Sequence, residues 1–215
     1  MSLRQLVLWR HGRTAWNAYG RIQGQTDVPL DDVGRAQARD AATRLASLSP
    51  TFILSSDLSR AADTATALAE LVGLSVARDP RLREMAFGIR EGLTHEQAFE
   101  RHPEAMASLV ADPSIVLEGA ESYAEVGKRV AASIADACVR LQPGETGVLV
   151  GHGAALRVGI CAFLELPEQI WSRFGGFSNC SWAVLEDRRR GWCITEWNAG
   201  SLPEPVLSDD ERDNA

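Results

Sequence analysis

Short apolar runs alternate along this chain with stretches whose apolar residues recur at helical spacing. That alternation restricts the fold to an α/β domain built on a largely parallel sheet. Strand-like runs occupy residues 3–9, 51–55, 75–78 and 148–150. Asp31 is placed to N-cap a helix that turns Ala38, Ala41, Ala42, Leu45 and Leu48 inward. The clearest helix carries Leu58, Ala61, Ala62, Ala65, Leu68, Ala69 and Val72 on one face and is stopped by Gly73. Ser122 and Glu125 form a capping box for a long helix bearing Val126, Val130, Ile134, Ala137 and Leu141, which Pro143-Gly144 ends. A further helix spans 154–164. Residues 181–185 and 192–197 are expected to pair as a hairpin at the sheet edge, with Arg188-Arg189-Arg190 and Gly191 in its turn. The least regular part is 79–120, where Pro80, Pro103 and Pro113 leave one helix around 94–100; it reads as an insertion roofing the sheet end.

The chain of 215 residues suits one domain, expected over 1–202. Beyond it, Glu204, Asp209, Asp210, Glu211 and Asp213 against Arg212 hold more than half of the net charge of −7, as a solvated, disordered tail over 203–215. This charge argues against a nucleic-acid partner. No apolar stretch reaches the roughly 18 residues of a membrane span, and the N-terminal apolar segment is too short for a leader; a cytoplasmic protein without a membrane partner is expected. Cys138, Cys161, Cys180 and Cys193 show neither close pairing nor ligand spacing, and read as reduced, mostly buried thiols. Of the tryptophans, Trp16 is the one expected to border a site.

Four segments fall at the carboxyl ends of strands or open the insertion, where ligands of open α/β sheets gather. They are Arg10-His11-Gly12, the turn from Ser55 through Arg60, Leu82-Arg83-Glu84 and Gly151-His152-Gly153. Alone, Arg60 reads as well as a solvated helix residue, and Glu84 as a surface carboxylate paired with Arg81 or Arg83. Together the segments supply two arginines, two histidines, a carboxylate and a helix N-terminus, an inventory suited to a phosphoryl group. A neutral imidazole can attack phosphorus, and a carboxylic acid can protonate the departing alkoxide and then activate water. His95 and His102 read as surface residues. No nucleotide-binding glycine motif occurs, and no cluster has metal-ligand spacing, so neither cofactor nor metal is expected.

Several motifs in order resemble the histidine phosphatase superfamily, in its phosphoglycerate-mutase-like branch. They are Arg10-His11-Gly12 with Thr14, Trp16 and Asn17; Gln23-Gly24-Gln25-Thr26-Asp27; Pro29-Leu30 with Gly34 and Gln37-Ala38; Ser55-Ser56-Asp57-Leu58 with Arg60-Ala61 and Thr64-Ala65; Leu82-Arg83-Glu84; Gly119 with Glu121-Ser122; Gly151-His152-Gly153; and Asn179-Cys180-Ser181. The resemblance implies a three-layer α/β sandwich around a mostly parallel sheet with an irregular cap insertion. It implies His11 as the phosphorylated nucleophile, and Arg10, Arg60 and His152 as phosphoryl ligands. Glu84 would be the proton donor, and Asn17, Gln23 and Gly153 substrate contacts. Arg13 departs from the family, which more often has glutamate or glutamine there. It either adds charge at the pocket edge, for a second anionic group, or turns away to pair with a carboxylate.

The function expected is a metal-independent phosphomonoesterase acting on a small phosphorylated metabolite, a sugar phosphate or phosphoglycerate-like compound, glucosyl-phosphoglycerates included. The alternatives are a cofactor-dependent phosphoglycerate mutase and a non-catalytic phosphate-binding module. The interval from Glu84 to His152 is shorter than mutases of the family usually carry, which favours water access and hydrolysis. Substrate identity and oligomeric state stay open, a homodimer among the options.

Overall fold

The computed structural model describes residues 3–200, so the acidic segment 203–215 lies outside the described residues. Its strands are β1 (Gln5–Arg10), β2 (Phe52–Ser55), β3 (Val76–Arg78), β4 (Thr146–Gly151), β5 (Trp182–Arg188) and β6 (Gly191–Ala199). They form one mixed six-stranded sheet in the order β3-β2-β4-β1-β5-β6. Strands β3, β2, β4 and β1 run parallel, and β5 and β6 add an antiparallel hairpin at one edge, as the sequence predicts.

Each central strand is apolar on both faces, as a sheet covered by helices requires. Val7, Trp9, Ile53, Val148, Val150 and Val184 point to one face and pack with Ala38, Ala42, Ala61, Ala65 and Leu68. Those residues come from α2 (Asp32–Ala46) and α3 (Ser59–Val72), which follow a one-turn α1 (Ala15–Ala18). The alternate residues Leu6, Leu8, Leu54, Leu149, Ala183 and Leu185 point the other way, onto Val130, Ile134, Leu156 and Ile160. These belong to α6 (Tyr123–Arg140) and α7 (Gly153–Phe163). The result is a three-layer α/β sandwich. Among the described residues no helix is long and apolar enough to cross a membrane.

The local signals act where expected. Asp31 caps α2 by accepting from Gly34 N at 2.7 Å, the Ser122–Glu125 capping box starts α6, and Gly73 ends α3 at φ 69°. Two elements differ from the sequence reading. Leu48 lies beyond α2 and is 38% exposed, because Ser49, at φ 49°, and Pro50 turn the chain into β2. Residues 79–120 hold two helices rather than one, α4 (His95–Arg101) and α5 (Pro103–Ala111). Pro103 starts α5 at a position where its missing N–H is harmless, rather than breaking a helix. Leu82, Met85 and Phe87 from this segment join the main core, whereas Leu93, Ala98, Met106 and Leu117 form a small core of their own. His95 and His102 are half-buried rather than at the surface, the former edge-on to Phe99. Cys138, Cys161 and Cys180 are buried free thiols, and Cys193 is half-buried.

Two features of this topology build the site. Adjacent strands β1 and β4 send their chains to helices on opposite faces, α2 and α7, which opens a crevice between them. Their parallel register pairs Arg10 with Gly151, so both strands stop level. The loop leaving β1 then passes against α2 so closely that both partners must be glycine. A Cβ on Gly12 would stand 2.4 Å from Gly34 O, and one on Gly34 would stand 1.9 Å from Arg13 O. Gly34→Ala therefore forces the backbones apart, and a loss of about 1–3 kcal/mol is expected; urea denaturation checks this, and an unshifted midpoint would mean the contact yields freely.

Candidate active site

Because β1 and β4 end level, His11 and His152 leave them side by side. His11 N donates to Gly151 O at 3.0 Å, and the two imidazole centroids lie 5.1 Å apart with planes tilted by 57°. Around them the structure gathers Arg10, Arg60 and Glu84, and all five side chains are at least 96% buried.

The hydrogen bonds assign the ring protons. His11 Nδ1 lies 2.7 Å from Gly12 O, an acceptor only, so Nδ1 carries the proton and Nε2 keeps its lone pair. On His152, Arg60 Nε donates to Nδ1 at 3.2 Å, so Nε2 carries the proton and donates to Ser56 Oγ at 2.9 Å. Burial, then the positive charges of Arg60 and Arg10, hold His11 well below the ordinary imidazole range. Burial, Arg60 and the neighbouring His11 do the same to His152. Both rings are therefore neutral at pH 7, which a nitrogen nucleophile requires.

The arginines are aimed by backbone carbonyls. Arg60 donates to Thr26 O at 2.8 Å and to Gly24 O at 2.7 Å, which places the loop after Gln23 over the first turn of α3. Asp27 of the same loop accepts from Ser59 N at 2.8 Å, at the start of that helix. Arg10 donates to Phe177 O, and its buried Nε has no hydrogen-bond partner among the described residues. The Arg10 guanidinium lies in van der Waals range of Gly153, at the N-terminus of α7, where a Cβ would be 3.5 Å away. Glu84 reaches the same helix end: its Oε1 accepts from Ala155 N at 2.8 Å and Met85 N at 2.9 Å, and its Oε2 from Ala154 N at 3.3 Å.

The remaining sequence candidates line the β1 exit. Thr14 caps α1 and holds both amides, with Asn17 Oδ1 at 3.1 Å and the buried Gln23 Oε1 at 2.9 Å from its hydroxyl. Arg13 takes the second of its two expected orientations, with Nε 2.9 Å from Asp31 Oδ2. Trp16 lies against Gly92, and Arg21 donates to Gly92 O at 2.6 Å, so both hold the segment that leads into α4. Sequence reasoning left Ser56, Thr64 and Asn179 without roles. Ser56 Oγ accepts from His152 Nε2 at 2.9 Å, Thr64 Oγ1 accepts from Gly12 N at 3.1 Å, and Asn179 Nδ2 donates to His11 O at 3.2 Å. These contacts join residues far apart in the chain, so periodicity carries no trace of them.

Two neutral imidazoles beside two buried guanidinium groups, at a helix N-terminus, are groups suited to a tetrahedral oxyanion. The family model for the histidine phosphatase superfamily (branch 1) matches residues 6–200. The chain belongs to this superfamily. Among its relatives, glucosyl-3-phosphoglycerate phosphatase of Mycobacterium tuberculosis is 37% identical over 94% of this chain and 97% of that protein. A probable phosphoglycerate mutase GpmB of Yersinia enterocolitica is also 37% identical, over 97% of this chain and 99% of that protein. The solved mycobacterial glucosyl-3-phosphoglycerate phosphatase in complex with VO3 superposes with a TM-score of 0.84 at 39% identity, covering 92% of this chain and all of that one. This histidine phosphatase is thus an enzyme whose motif histidines stand together at the end of its sheet.

The depressed imidazoles have a consequence for stability. Unfolded, each histidine binds a proton below about pH 6.5; folded, neither does until the pH is much lower, so stability falls as pH drops through this range. His152→Asn is expected to flatten the dependence of unfolding free energy between pH 5 and 6.5 by up to about 1.4 kcal/mol per pH unit. Urea denaturation of both proteins across that range measures it, and parallel curves would contradict the buried neutral state.

Proposed function

We propose that this histidine phosphatase hydrolyses a small phosphomonoester through a phosphohistidine on His11. The observation that carries the reading is the neutral His11 ring, protonated at Nδ1, facing His152 beside Arg10 and Arg60. His11 Nε2 attacks phosphorus as the bond to the leaving oxygen breaks, and Arg10 and Arg60 stabilise the charge on the three equatorial oxygens, joined by His152 as its Nε2–H turns from Ser56 Oγ to one of them. Glu84 gives its proton to the departing alkoxide. The resulting carboxylate then takes a proton from water as that water attacks phosphorus, the P–N bond breaks, and inorganic phosphate leaves. Asn17, Gln23 and the Gly153 amide border the phosphate in this scheme. Arg13, held on Asp31, braces the loop instead of meeting a second anionic group.

A cavity of about 420 Å³ is lined by Met85, Arg90, Leu117, Tyr123 and Arg157, and none of Arg10, His11, Arg60, Glu84 and His152 lines it. Residues 79–120 supply its roof through Met106 and Leu109 and act as the cap. A sugar phosphate or a phosphoglycerate derivative is the substrate class proposed, in line with the activity named for the mycobacterial relatives.

The relatives named as mutases favour a second reading, in which the same phosphohistidine returns its phosphoryl group to the product. Two measurements separate these cases. Acid-labile, base-stable label on the protein after mixing with a radiolabelled phosphate ester should appear in the natural protein and vanish in His11→Ala, with turnover lost by at least about 1000-fold; retained turnover would remove the nucleophile. With 3-phosphoglycerate and trace bisphosphoglycerate, release of phosphate is expected, whereas rapid formation of the 2-isomer would make the protein a mutase.

A further inference from the structure

A guanidinium outside the phosphate pocket holds the backbone of the proton donor. Arg129, on α6, gathers three carbonyls from one short stretch. It donates from Nη1 to Arg81 O at 2.8 Å and Arg83 O at 2.6 Å, and from Nη2 to Glu84 O at 2.9 Å. These carbonyls cluster because the turn Pro80–Leu82 ends just before Glu84 and leaves its last acceptors facing α6. The rest of the Arg129 fork is filled by Glu121, with Nε to Oε1 and Nη2 to Oε2 both at 2.8 Å. Glu121 Oε2 in turn accepts from Ala86 N at 2.9 Å, two residues past the donor, and from Gln25 Nε2 at 3.3 Å. Gln25 belongs to the loop whose neighbouring carbonyls, Gly24 O and Thr26 O, aim Arg60.

We propose that Arg129, with Glu121, is a positioning residue for proton transfer: it fixes the Glu84 backbone against α6 while the Glu84 side chain is fixed on the N-terminus of α7. This rests on the phosphatase reading above. Without Arg129, three carbonyls and the Glu121 carboxylate lose a charged donor, and the stretch from Arg81 to Ala86 is free to shift. Proton delivery tolerates little displacement: about 1 Å is enough for a hundredfold loss. Burial by itself pushes the Glu121 carboxyl up, yet the bonds from Arg129 and Ala86 bring it below the ordinary range, which favours the carboxylate. The side chains are 19% and 24% exposed, which makes the bridge a shielded one.

Leaving-group dependence separates positioning from a general loss of structure. A strongly basic alkoxide needs the Glu84 proton to depart, while p-nitrophenolate, a weak base, departs without it. The quantity to read is kcat/KM, because it covers only the steps through phosphohistidine formation and excludes the later attack of water. For Arg129→Gln, kcat/KM on 3-phosphoglycerate is expected to fall about 100-fold, and on p-nitrophenyl phosphate less than about threefold. Arg129→Lys, which keeps one charged donor, should recover part of the loss on the alkyl ester alone. Equal losses on both esters, or no loss on either, would overturn the assignment, and where Arg129→Gln does not fold the same comparison is made with Arg129→Lys and Glu121→Gln. A natural protein inactive on both esters would refute the phosphatase reading and this one with it. A natural protein that cleaves only the aryl ester would refute the positioning role alone.

Discussion

The parallel pairing of β1 with β4 is the constraint on which the rest depends. Its register puts Arg10 opposite Gly151, and the two histidines are the next residues along each strand. A shift of one residue would reverse the faces of Val7 and Leu8 in two separate cores, so the hydrophobic pattern of the strands guards the register. Packing thus sets the spacing of the imidazoles. Because α2 and α7 pack on opposite faces of the sheet, the strand ends meet where the connections diverge.

At those strand ends electrostatics does two things at once. Arg10 and Arg60 are buried in a water-poor site, where a cation is strongly drawn to an anion. The same charges oppose protonation of the rings beside them, so in the proposed mechanism the groups that attract the phosphoryl moiety also keep its nucleophile ready. Carbonyl oxygens from two separate loops aim the guanidinium groups: Gly24 and Thr26 for Arg60, Phe177 for Arg10. Preorganisation of this kind leaves little to rearrange when charge develops in the transition state.

Most of the framework was legible from the chain itself, since Val7, Leu8 and Trp9 or Leu58, Ala61 and Ala65 state their periodicity directly. The motifs around His11, Arg60, Glu84 and His152 were legible because each lies at a strand end, a helix start or the opening of the insertion. Other features were hidden for identifiable reasons. Pro103 looks like a breaker unless its place in the first turn of α5 is known. Leu48 keeps the helical spacing although Ser49 and Pro50 have already turned the chain. Arg13 had two orientations of equal merit, and only the position of Asp31 across the loop distinguishes them. Ser56, Asn179 and Arg129 are polar residues whose partners are distant in sequence, and hydrogen bonds of that range leave no local signature.

The segment just before the edge hairpin reaches back to the first strand. Cys180 N and Asn179 Nδ2 both donate to His11 O at 3.2 Å, Arg10 N donates to Ser181 O at 2.9 Å, and Arg10 also donates to Phe177 O. Cys180 adopts φ 58°, an uncommon conformation for a residue with a side chain, to complete this closure. On the ribosome, His11 therefore emerges long before the residues that seat it. The contacts that seat Arg10 and His11 wait until residues 177–181 have been synthesised.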